Sequence, residues 1–154
     1  ALAPSSAAGY MRLGERLMAI QGSEAEAEAA LRVALRMAPR DGHSLNSLGT
    51  LLQALPGRFS EAAEAYRTCL KLLPRSGNAY HNLGTVKQRL GQLDEAEALY
   101  NTALPLLPDV PNVFVSLASL RQPPHNVPLL QKALALRPSD PELHSRLAAA
   151  LAPP

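Results

Sequence analysis

Four histidines, one cysteine and one dense acidic run are the groups in this chain best suited to chemistry. His43, His81, His125 and His144 could ligate a metal or carry a proton. None sits three or four residues from another His, Cys, Asp or Glu in a way that makes a plausible metal site. His43 and His81 could face each other from adjacent elements, but two ligands alone make a poor site. Cys69 could be a nucleophile, yet it occupies the repeated position held elsewhere by Ala34, Ala103 and Ala133. That pattern reads as a buried small residue. The run "SEAEAEAA" (Ser23–Ala30) could supply paired carboxylates. Its alternation with Ala reads instead as a solvated helix start, where negative charge favours the helix N-terminus. The glycines form neither GxGxxG nor GxxxxGK[ST], so no phosphate cradle is present. The expectation is therefore no catalytic residue, no cofactor and no metal.

The bulk composition narrows the remaining classes. The chain has 154 residues, 47% of them hydrophobic, which suits one ordinary domain with an ample core. Its net charge is +2, and no Lys/Arg cluster marks a nucleic-acid footprint. No apolar run reaches the roughly 18–20 residues of a membrane helix, and no basic-then-apolar leader opens the chain. The single Cys allows no internal disulfide and, with the missing leader, favours an intracellular setting.

The elements that would carry these residues repeat. Pro4, Pro39, Pro74, Pro108 and Pro138 are spaced 35, 35, 34 and 30 residues apart. Gly14, Gly49, Gly84, Ala118 and Ala148 each lie 10 residues after one of them. Within a unit the apolar and small positions follow a helical period. Tyr80, Leu83, Gly84 and Leu90 form one stripe; Ala96, Leu99, Tyr100, Ala103, Leu104 and Leu107 form another, after Gly91. Each unit thus reads as helix A, a glycine turn, helix B and a closing proline. Ser23 with Glu26, and Asp94 with Glu97, read as capping boxes. Pro111 and Pro141 suit the first turn of a helix.

Opposite the apolar stripe, the A helices carry a polar, largely uncharged stripe rich in amides and hydroxyls. In the second unit its residues are His43, Asn46, Ser47, Thr50 and Gln53. In the third they are Asn78, His81, Asn82, Thr85, Gln88 and Arg89, and in the fourth Asn112, Val115, Ser116, Ser119 and Gln122.

Tyr80, Leu83, Gly84, Ala96, Tyr100, Ala103 and Pro108, with the 34-residue period, resemble the tetratricopeptide repeat. The units look most like those of long arrays, such as the repeats of O-linked glycosyltransferases and scaffold proteins. The resemblance implies an all-α, right-handed superhelical solenoid of antiparallel helix pairs: about four repeats plus a terminal helix. The repeats would span about 7–40, 42–75, 77–110 and a short, degenerate 111–139, with the terminal helix at 141–151. Residues 1–4 would be the tail of a preceding helix. Both ends look cut within an array, so a segment of a larger protein or assembly is expected.

The same resemblance places the polar stripe on a concave surface. His43, Asn46, Thr50, Gln53, Asn78, His81, Asn82, Thr85, Gln88, Arg89, Asn112, Ser116 and Ser119 would then line a groove able to hydrogen-bond an extended peptide. Asn82 matches the asparagine that long arrays use for this purpose, whereas Arg12, Ser47, Ser116 and Arg146 stand there in the other units. The basic residues that chaperone-tail clamps use are missing from every three-helix window, which argues against that role.

Two breaks modify the pattern. Pro105 falls in the last turn of a B helix and should shorten or kink it. Pro123 and Pro124 should clip the fourth helix A near Arg121, with its helix B running from Asn126 to Arg137. The expected function is a non-catalytic interaction module, a scaffold, adaptor or complex subunit binding a protein or extended peptide. The alternatives are the recognition array of a larger enzyme, such as an O-linked glycosyltransferase, and an architectural subunit buried between partners.

Overall fold

The computed structural model describes residues 5–152, and among these residues it contains nine α-helices, one 3-10 turn and no strand. The A helices are α1 (Ala7–Met18), α3 (Gly42–Ala54), α5 (Gly77–Arg89), α7 (Pro111–Leu120) and α9 (Pro141–Leu151). The B helices are α2 (Glu24–Met37), α4 (Phe59–Leu72), α6 (Leu93–Ala103) and α8 (Val127–Leu136). Each helix packs on its neighbours in sequence, which gives a superhelical stack of antiparallel pairs. The expected helix tail at 1–4 lies outside the described residues.

Glycines set the hairpin turns. Gly22, Gly57 and Gly91 hold φ of +85°, +74° and +76°, a left-handed conformation that side chains disfavour. The capping follows from the turn that precedes each helix. Ser6, Asp41, Ser76 and Asp140 arrive in extended conformation, with ψ of 154°, 100°, 94° and 107°. Their side-chain oxygens accept backbone N–H groups of the first turn of α1, α3, α5 and α9. The two capping boxes expected at the B helices do not form. Ser23 sits at the cap position of α2 with ψ of 21° and makes no side-chain cap bond. Asp94 lies inside the first turn of α6, whose cap position is Gln92. The left-handed glycine turn delivers the chain to the B helices without the extended residue that aims a side-chain oxygen at the helix end.

Small residues let the helices of a pair approach. A Cβ added at Gly49 would stand 2.6 Å from the ring of Tyr66, and one at Gly84 would stand 2.6 Å from the ring of Tyr100. Both tyrosines are fully buried, as are Ala34, Cys69, Ala103 and Ala133 in their shared position. Cys69 is therefore a packing residue, and burial pushes its thiol above the ordinary range. The expected stripe partner Leu90 is instead 43% exposed, because α5 ends at Arg89 and Leu90 caps it beyond the packed face.

The later repeats are shorter. Helix α6 has 11 residues against 14 in α2 and α4, and Pro105 sits in the 3-10 turn Leu104–Leu106 that follows it. One core cluster joins α1 to α5 through Leu31, Leu52, Tyr66 and Val86. Smaller clusters form around Tyr100 and Leu117, and around Leu130 and Leu143.

Candidate functional site

Neighbouring A helices touch directly, α1 with α3 and α3 with α5, more than the B helices of adjacent repeats do. The polar residues selected from the sequence fall on α3, α5 and α7, repeat after repeat. Gln122 follows the end of α7, in the turn before α8, and Val115 packs partly against the last core cluster.

Many of these polar groups bond across repeat boundaries. Asn82 Nδ2 donates to Asn46 Oδ1 at 3.5 Å, and His81 Nε2 lies 3.0 Å from Ser116 Oγ. Gln88 Nε2 donates to Ser119 Oγ at 3.1 Å. Ser47, taken from the sequence as part of an open stripe, is 8% exposed and donates to Glu15 Oε1 at 2.7 Å. Asn112 accepts from Arg137. His43, Thr50, Asn78, Arg89, Asn112 and Ser119 stay exposed, and Arg89 lies 5.7 Å over the ring of Phe59.

A second tier of bonds fixes the glutamines. The Tyr100 hydroxyl donates to Gln88 Oε1 at 2.8 Å and lies 3.3 Å from Thr85 Oγ1. The Tyr66 hydroxyl stands 3.2 Å from both Gln53 Oε1 and Thr50 Oγ1. The B-helix tyrosines thus reach through the glycine seams and hold A-helix side chains from below. The signal was present in the sequence: Tyr, Gly, Thr and Gln recur together in units two and three, while Leu31 and Leu130 take the tyrosine's place in units one and four. Burial lowers the pKa of His81, which favours its neutral ring.

The same burial raises Tyr100 and pushes Tyr66 up to about 12 from its ordinary 10.0. A phenol whose folded pKa exceeds its unfolded one stabilises the fold fully below pH 10 and progressively less as pH rises toward 12. Stability measured by denaturant titration should therefore fall between pH 10 and pH 12, and Tyr66→Phe should flatten that fall.

Two charged arrangements were not legible from the sequence. Lys87 is 5% exposed, and its ammonium reaches Gln92 Oε1 and Glu95 Oε2, each at 2.8 Å. Glu28, read only as part of a solvated run, receives Arg58 at 2.7 Å and Arg32 at 2.7 Å, so it ties α2 to the start of α4. The Arg58 guanidinium, ahead of Arg32, holds the Glu28 carboxyl below the ordinary range. Among the described residues no group of three His, Cys, Asp or Glu side chains could hold a metal, and no helix is long and apolar enough to cross a membrane.

Residues 53–120 match the family model described as tetratricopeptide repeat. No curated protein matches the sequence significantly. Among solved structures, a chain of the APC/C hetero-tetramer Cut9–Hcn1 superposes with a TM-score of 0.86 at 22% identity over 96% of this chain. The present chain spans 30% of that one. MamA 41-end from Desulfovibrio magneticus RS-1 gives 0.81 at 23% identity, over 97% of this chain and 85% of that one. Pseudomonas aeruginosa PilF gives 0.85 at 23% identity, over 94% of this chain and 67% of PilF.

Proposed function

We propose that this chain, whose residues 53–120 match the tetratricopeptide repeat model, is a non-catalytic protein-interaction module, a scaffold, adaptor or complex subunit that holds a peptide or protein segment against its A helices. The observation that carries this reading is the pair Asn46 and Asn82, half-buried on adjacent repeats with Asn82 Nδ2 3.5 Å from Asn46 Oδ1. Their mutual bond occupies one oxygen and one N–H. The Asn82 oxygen and the Asn46 amino group remain able to pair with a backbone N–H and a carbonyl of an extended chain. Gln88 and Gln53, held by the tyrosines, extend the same row of donors and acceptors. Because these side chains are already tethered, a bound segment would not have to order them.

The occurrence of the fold in the Cut9–Hcn1 hetero-tetramer supports a place in a multi-protein complex. The test uses peptides selected from a random dodecapeptide display library on the whole chain. Asn46→Ala/Asn82→Ala should weaken them about tenfold, since each lost hydrogen bond contributes roughly 0.5–1.5 kcal/mol. Far-ultraviolet circular dichroism should be unchanged. Equal affinity for both proteins would move the binding surface elsewhere.

A further inference from the structure

We infer that an acidic segment carrying one apolar side chain docks at the edge of the groove, in the cleft between the start of α3 and the loop joining α4 to α5. This inference rests on the peptide-binding reading and names the chemistry the site selects. The cleft has a volume of about 440 Å³ and is lined by His43, Leu72, Leu73, Pro74, Arg75 and Ser76. That space accepts an aliphatic or aromatic side chain, and Leu72, Leu73 and Pro74 give it an apolar floor.

The rim supplies the charge preference. Arg75 and His43, both exposed, line the cleft as well. Arg75 enters no ion pair among the described residues. No carboxylate lines the cleft, so its rim complements a carboxylate beside the apolar anchor. The next repeat lacks this arrangement: Asp109 stands where Arg75 stands, and Asn78 where His43 stands. The cleft of the second repeat is thus set apart from its neighbour by sign of charge, and the partner it fits is acidic.

The A helices reinforce the sign. Leaving aside Lys87, which is buried and paired with Glu95, they carry Arg12, Arg16, Arg89 and Arg146 against Glu15 and Glu142, whereas α2, α4 and α6 hold most of the acidic residues. A segment seated by its apolar residue beside Arg75 and running along the A helices therefore meets net positive charge.

Random dodecapeptides displayed on phage and selected on the whole chain test this. Retained peptides should share an aliphatic or aromatic residue with Asp or Glu within two positions. Arg75→Glu, an exposed change that leaves the core untouched, should weaken them about tenfold, and raising the salt concentration should weaken their binding to the wild type. Peptides weakened by Asn46→Ala/Asn82→Ala but indifferent to Arg75→Glu would overturn the cleft and leave the groove reading standing. Basic or purely polar consensus peptides would overturn it equally. A selection that retains nothing would overturn both readings.

Discussion

Gly84→Leu should lower the unfolding free energy by about 3 kcal/mol, at the upper end for overpacked cores. A Cβ alone would already approach Tyr100 Cε1 to 2.6 Å and Cδ1 to 2.7 Å. The ring cannot swing aside: it is fully buried, and its hydroxyl is held by Gln88. A leucine adds three further heavy atoms to that collision. The protein contains its own control for this claim. In the fourth repeat Ala118 and Leu130 replace the glycine and the tyrosine, and both are buried in one cluster. Gly84→Ala should thus be harmful in the wild-type background and better tolerated when combined with Tyr100→Leu. Chemical denaturation of the four proteins of this cycle measures the coupling. Additive effects would mean that residues 84 and 100 do not face each other.

Tyr66→Ala should cost about 3–5 kcal/mol, the range for emptying a buried aromatic site. Tyr66 has no exposed surface and belongs to the cluster that joins α1 through α5, so its loss opens a cavity where three repeats meet. Tyr66→Phe should cost only about 1 kcal/mol, because it keeps the ring and removes one hydroxyl from Gln53 and Thr50. The gap between the two variants separates packing from hydrogen bonding. Equal losses would show that the hydroxyl, and not the ring, sustains the seam. Because repeat stability is a sum over neighbours, Tyr66→Ala should also uncouple the first repeat from the third and broaden the unfolding transition.

The all-helical stack was legible because its determinants are local and periodic. A proline, a small residue 10 positions on and a glycine turn recur at fixed offsets, and each has a steric reason to be where it is. The shortening of α6 was legible for the same kind of reason, since Pro105 cannot donate the bond that would continue the helix. The capping boxes were misread because cap residues were judged by type, whereas the backbone conformation imposed by Gly22 and Gly91 decides whether a side chain can reach the helix end. The polar stripe was legible as a stripe, but not as a network. Ser47 with Glu15, His81 with Ser116 and Gln88 with Ser119 meet across repeats, more than 30 residues apart in the chain. Such lateral pairing depends on how one hairpin is placed on the next. Lys87 escaped notice because its head reaches over the hairpin turn to Gln92 and Glu95, so a lysine can occupy the position that Leu52 fills in the repeat before it.

The claim on which the functional account depends is that the amides of adjacent A helices are available to a second chain. Titrating a display-selected dodecapeptide into the isotopically labelled protein, and following the side-chain amide resonances of Asn46, Asn82, Gln53 and Gln88, tests it directly. The account predicts saturable shifts of these four amides, with the α2 and α6 backbone unmoved. Saturable shifts confined to the B helices, with the four amides unchanged, would contradict it.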